Sequence, residues 1–252
     1  MRHNRPSKKI FIQKIIHAIF SITAFCSLFI GSYSHAQTTF QGKKVLVLGD
    51  SLAQGLAAPI YAKATAAGAT TLSGSYQKPG STMKQWLNGS GGGVTRSISS
   101  IIQGEKPDIV IISLGTNDVS VANKFPTDAT ANISNIRSAV GSASLYWIGL
   151  PNFKTCTRGS AGPMPQTAVQ EMNNALKSGG GVFYDTYTKL PNLLPDSGCT
   201  DIHPSGKYTE WANNFWDSAV ASNSQGSSSG NNQQTKGPVL PSPKYTPIPG
   251  SE

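Results

Sequence analysis

The chain has 252 residues, 38% of them hydrophobic, which is enough for one large domain or two small ones with a sizeable core. The formal net charge of +9 is concentrated at one end. Residues 1–14 hold Arg2, Arg5, Lys8, Lys9 and Lys14 and no acid, so 16 basic residues face 12 acidic ones beyond them, a balance of +4. No dense Lys/Arg patch remains there, and this excludes nucleic acid as a partner.

The basic start passes into an apolar run over 15–30, interrupted early by His17. Ser34-His35-Ala36 follows, with small residues in the two positions a signal peptidase reads. Residues 1–36 are expected to be a secretory signal peptide cleaved before Gln37; the run is short for a membrane span. Cys26 follows Phe25 rather than a small residue, which argues against a lipoprotein site. The mature chain is then secreted or periplasmic, with no membrane span. Cys156 and Cys199 survive cleavage and, in an oxidising compartment, are a disulfide candidate; their spacing matches no zinc pattern.

A first strand is expected at 44–48, where Val45-Leu46-Val47-Leu48 reads as a strand buried on both faces. An Ala-rich helix follows over 53–67, with Leu52, Leu56, Ile60 and Ala64 at four-residue steps. Pro59 inside it predicts a kink or short break. A weak strand at 70–73 leads to a Pro/Gly loop at 76–82, then to Met83, Trp86 and Leu87 at helical spacing. After a glycine-rich break at 88–93, a helix is expected over 94–102 and a buried strand over 108–114. A helix over 129–140 ends at Gly141, and a strand over 145–150 is stopped by Pro151. Then come a helix at 166–177, a strand at 182–184 and a last helix carrying Tyr208, Trp211, Ala212 and Phe215 on one, core-facing side.

Five strands alternating with helices require βαβ units and a parallel sheet covered on both faces, an α/β domain over 37–221. From residue 222 the chain turns Ser/Gly/Asn/Gln-rich and then Pro-rich. Residues 222–252 are expected to be a disordered tail, a spacer or a contact for some further partner.

In open α/β sheets ligands bind at the carboxyl ends of strands. Three polar clusters fall there: Gly49-Asp50-Ser51, Gly115-Thr116-Asn117-Asp118 and Asp201-Ile202-His203-Pro204. Gly80 adds a flexible position in the loop after the second strand. Taken singly, each has an ordinary reading. Ser51 in a strand-to-helix turn is a nucleophile or a helix N-cap, and on the tripeptide alone capping leads. Asn117 and Asp118 suit a turn, Gly80 a positive φ, and His203 a surface loop.

Together, in this order, the four elements resemble the SGNH (GDSL-type) hydrolase family, over about 43–221. The resemblance implies a three-layer, flavodoxin-like fold with a five-stranded parallel sheet. It implies Ser51 as nucleophile and His203 as general base. Ser51 and Gly80 N–H groups and the Asn117 amide would form the oxyanion hole. The family's Asp usually lies three residues before the His, where this chain has Thr200. Asp201, two before, is the favoured orienting carboxylate, with Asp196 or a backbone carbonyl as alternatives. A Cys156–Cys199 bond would pin the His-bearing loop.

The expected activity is an esterase acting on short-acyl, above all acetyl, esters of a polysaccharide or peptidoglycan. The insertions at 88–93 and 154–165 are polar, with no apolar lid, and Tyr76 and Trp86 lie near Gly80 where a sugar ring could stack, although Trp86 at helical spacing with Met83 and Leu87 reads first as core. An O-acetyltransferase, a lysophospholipase or thioesterase, and an inactive carbohydrate-binding or scaffold module remain alternatives. The sequence carries no metal cluster, nucleotide loop or cofactor signature.

Overall fold

The computed structural model of the chain describes residues 40–157, 162–195 and 199–221; the expected signal peptide at 1–36, the expected tail at 222–252 and Asp196 lie outside these residues. Five strands, β1 (Lys44–Gly49), β2 (Thr70–Thr71), β3 (Ile109–Ser113), β4 (Ser144–Ile148) and β5 (Val182–Tyr184), form one sheet in the order β2-β1-β3-β4-β5. All its pairings are parallel. The β-branched and Leu runs of β1 and β3 are buried throughout, apart from Lys44 at the edge, because helices cover both faces.

The helices are α1 (Ser51–Ala66), α2 (Met83–Asn88), α3 (Ile98–Glu105), α4 (Thr116–Ala122), α5 (Ala129–Val140), α6 (Gln166–Ser178), α7 (Thr186–Lys189) and α8 (Tyr208–Phe215). α8 runs on into a π-helical stretch, Trp216–Ala221, and packs against α1. α5 meets α2, α3 and α6, forming the other layer. Trp86, Trp147 and Trp211 are all but fully buried, and each indole N–H finds an acceptor: Ser81 Oγ, the Gly180 carbonyl and Thr186 Oγ1.

Three expectations need correction. The helix expected from 94 begins at Ile98, because Val94 is tied into a turn by its N–H to Gly91 O (2.9 Å) and Ser97 supplies the cap to Ser100 N–H. No break occurs at Pro59: α1 is continuous, losing only the backbone bond that residue 59 would make to Gly55. The segment after Gly115 is a helix, α4, where a turn was expected.

The strand order reverses direction between β1 and β3, so the crevice at their carboxyl ends is where this topology places a ligand. The two strands end in register, Gly49 opposite Ser113, and the Asp50 N–H donates to Ser113 O at 3.2 Å. Gly49 is obligatory: φ is +153° and a Cβ would run into the Ser113 carbonyl oxygen.

Cys156 and Cys199 are disulfide-bonded, 43 residues apart with Cα atoms 4.8 Å from one another. The bond ties the loop after β4 to the segment leading into His203, and Thr157 N–H donates to Cys199 O alongside it (3.3 Å). Closing a loop of this length is worth about 4 kcal/mol in the chain-entropy picture, so the Cys156→Ser/Cys199→Ser protein is expected to melt roughly 8–16 °C lower by calorimetry. An unchanged Tm would show that the segment is held by its other contacts alone.

Candidate active site

Three segments converge at the reversal point. The first is the turn from β1 into α1. Asp50, with no exposed surface, is the N-cap of α1: its Oδ1 accepts from Leu52 N–H at 2.9 Å. The capping reading of Ser51 therefore fails, because its neighbour does that work. Ser51 is the first residue of the helix, half-buried, and its hydroxyl and N–H make no hydrogen bond among the described residues. A free N–H at a helix N-terminus favours negative charge beside it.

The second segment is the loop 76–82. It runs beside the end of β1: Gly49 N–H donates to Tyr76 O (3.1 Å) and Lys78 N–H to Gly49 O (2.8 Å). Gly80 follows, exposed, with φ +78° and open space where a Cβ would be, so backbone conformation rather than crowding selects glycine. Its N–H is also unengaged among the described residues. Ser81 is fully buried; its hydroxyl donates to Lys78 O (2.7 Å) and accepts from the Trp86 indole (2.8 Å).

The start of α4 fastens this loop. Asn117 Nδ2 donates to Ser81 O at 3.0 Å and, more weakly, to Asp50 Oδ2 at 3.4 Å. The next residue, Asp118, accepts the Met83 N–H on both carboxylate oxygens (3.1 and 3.2 Å), holding the first turn of α2. Thr82 and Gln85 complete the capping box of α2.

The third segment carries His203. Its Nδ1–H donates to Asp201 Oδ1 at 2.5 Å, and its backbone N–H donates to the same oxygen at 3.1 Å. This two-residue spacing is thus close enough for the carboxylate to hold the ring, leaving Nε2 as the acceptor. Burial pushes the Asp201 carboxyl up, but the His203 ring and N–H and the Ile202 N–H together hold it below the usual carboxylate range. No hydrogen bond joins Ser51 to His203 in this structure.

Tyr208, which sequence reasoning placed in the core, links the Ser51 helix to the helix that follows the third segment. It is half-buried, stacks on Trp211 with centroids 6.2 Å apart, and lies against bare helix backbone at Gly55, one turn beyond Ser51. Burial first, then the charges of Asp50 and Asp201, push its hydroxyl up to about 12. One phenol thus senses carboxylates belonging to both the Ser51 turn and the His203 segment. The signal for it was present: a glycine mid-helix, where none is favoured, marks a close approach.

Among the described residues, no three His, Cys, Asp or Glu side chains cluster closely enough to hold a metal ion. The chemistry available is that of a hydroxyl, an imidazole held by a carboxylate, and backbone N–H donors.

A strand-to-helix serine turn, a second-loop glycine, an Asn-bearing helix and an Asp-His segment around one flavodoxin-order sheet define a serine hydrolase of the SGNH class. The family model described as GDSL-like lipase/acylhydrolase matches residues 21–237, and the chain belongs to that family, whose members act on ester bonds. The fold is similar to a lipase/acylhydrolase from Enterococcus faecalis (20% identity, TM-score 0.54, covering 70% of this chain and 97% of that one). It is also similar to TesA (19%, TM-score 0.52, 69% and 97%). A family 3 carbohydrate esterase from Clostridium thermocellum shares it too (14%, TM-score 0.53, 75% and 100%). No curated protein sequence matches the chain.

Asp118 gives the site a pH signature. Burial, opposed by the Met83 and Asp118 N–H groups and reinforced by Asp128, pushes its carboxyl up to about 6. A carboxyl raised on folding weakens the fold as pH rises from 4 through 6, here by about 3 kcal/mol at pH 7. Asp118→Asn keeps an acceptor for Met83 and removes the charge. It is expected to melt above the wild type at pH 7.5, with the gap closing as pH falls to 4; a gap independent of pH would rule out the buried charge as its cause.

Proposed function

We propose that the chain is an exported esterase that removes short acyl groups, acetyl above all, from a carbohydrate. Export rests on the leader at 1–36 and on the Cys156–Cys199 bond, which suits an oxidising compartment. Among the described residues no helix is long and apolar enough to cross a membrane.

The observation that carries the mechanism is the Asp201–His203 pair, joined to the Ser51 turn through Tyr208. Asp201 fixes the tautomer, so Nε2 takes the Ser51 proton as Oγ attacks the ester carbonyl. The tetrahedral oxyanion gathers between the free N–H groups of Ser51 and Gly80. Asn117 becomes the third donor by releasing its long bond to Asp50 while keeping the shorter one to Ser81. Collapse expels the alkoxide, which takes the proton from His203; water, activated by the same ring, then frees the acid.

The short-acyl preference rests on the polar, glycine-rich composition of the segments at 88–93 and 154–165. Trp86 is buried in the core and offers no face to a sugar, so the carbohydrate preference draws on Tyr76 near Gly80. It also accords with the fold shared with the carbohydrate esterase and with an acetylxylan esterase from Geobacillus stearothermophilus (17% identity, TM-score 0.53, covering 70% of this chain and 94% of that one).

Hydrolysis of p-nitrophenyl acetate is the direct test: Ser51→Ala should abolish it, and equal rates would dismiss the enzyme reading. Asn117→Ala should lower kcat by about 10²–10³ with little change in KM, as for loss of one oxyanion donor. Asp201→Ala should lower kcat about tenfold or more, since it orients the base; near-normal turnover would remove Asp201 from the triad.

A further inference from the structure

A cavity of about 150 Å³ lies beside the 76–82 loop, bordered by Tyr76, Lys78, Arg96, Ser75 and Thr95 and by the buried Trp86 and Ile101. It has room for a group the size of roughly five water molecules. Its distance from the nucleophile follows from backbone pairing. Residues 76–78 form a parallel bridge to Gly49, two residues before Ser51, so they lie about one strand spacing, ~4.8 Å, from the end of β1. In such an extended stretch side chains alternate. Gln77 turns back to Val47 O (2.5 Å), and Tyr76 and Lys78 point together into the cavity.

The charges there do not cancel. Arg96 is held by Glu105 (3.1 Å) and by Ser100 O (3.2 Å). The Tyr76 hydroxyl and then the Arg96 guanidinium hold the Glu105 carboxyl below its ordinary range, so it stays ionised and matches Arg96. Lys78, half-buried, makes no ion pair among the described residues. One cation thus lines the cavity without a counter-charge, beside the Tyr76 ring and two hydroxyls.

The partly exposed Tyr76 ring suits a pyranose face, hydroxyls suit its ring substituents, and a lone ammonium suits a carboxylate. We propose that this cavity is a subsite for a uronate residue flanking the scissile ester, making the substrate an acetylated acidic polysaccharide. The proposal rests on the esterase reading for its substrate and on the cavity alone for its binding.

Two measurements separate them. In the first, acetate release from O-acetylated alginate and from O-acetylated xylan is compared with p-nitrophenyl acetate hydrolysis. The wild type should favour the alginate in kcat/KM, with the advantage shrinking as salt is added. Lys78→Gln should lower the alginate to p-nitrophenyl acetate ratio about tenfold to a hundredfold, the worth of a hydrogen bond to a charged group, and Lys78→Arg should restore it. In the second, calorimetry on the Ser51→Ala protein should detect binding of trigalacturonate, weakened by Lys78→Gln to a similar degree, and little binding of xylotriose.

Hydrolysis of p-nitrophenyl acetate without Lys78-dependent binding of trigalacturonate would overturn the subsite. So would equal kcat/KM for the two polymers, or a Lys78→Gln loss equal on all three substrates. Lys78-dependent binding without any hydrolysis would instead overturn the esterase and leave the subsite standing.

Discussion

A single buried carboxylate, that of Asp50, holds the architecture of the site together. One oxygen caps α1 through Leu52 and the other meets the amide of Asn117, while its backbone N–H reaches across to β3. Buried charge is tolerated only where donors surround it, and here the donors come from the two strand ends that the sheet order sets side by side. Asn117 then extends the brace to Ser81, and Asp118 extends it to α2. The loop bearing Gly80 is thereby suspended between two rigid ends, and the Gly80 N–H takes no part in the network among the described residues. Preorganisation of this kind spares the protein any rearrangement as negative charge develops on a bound group.

The ionised Asp118 is the counterpart of that brace. Its position against the first turn of α2 costs stability near neutral pH, as expected where a fold keeps a charged group for placement rather than for cohesion. The Asp201 carboxyl is the opposite case, partly exposed and lowered by its neighbours, so its ionised form is favoured across the range in which an imidazole titrates. Two carboxylates at one site thus answer to pH differently because one is buried and the other is hydrogen-bonded in the open.

Much of this was readable in the chain because local chemistry and tertiary demand agree. The helix Ala129–Val140, stopped at Gly141, and the strand Val182–Tyr184 fall where they were expected. The family motif placed Ser51 at a strand-to-helix turn, Gly80 in the loop after the second strand and His203 before the last helix, where they are found; Asn117, expected in a turn, lies in α4. What escaped were choices between equally good local answers. Asp50 and Ser51 are both strong capping residues, and only burial between two strands selects the first. Thr116–Ala122 looked like a turn because its Gly-Thr-Asn-Asp start favours one, whereas Val119 packs into the core and carries the chain on as a helix. Asp118 binds an amide 35 residues away, and Tyr208 senses Asp50 from the far end of the domain. Neither relation leaves a periodic trace.

The bare backbone at Gly55 carries a mechanical consequence. Tyr208 occupies the space a side chain there would need, and Tyr208 opens the helix that begins five residues after the imidazole. Even a methyl group at 55 would drive the Tyr208 ring from its place, and that ring belongs to the first residue of the helix that follows the histidine. Tolerance to substitution at this remote point on a helix should therefore resemble that of a residue lining the reaction centre, though it touches neither the base nor anything bound.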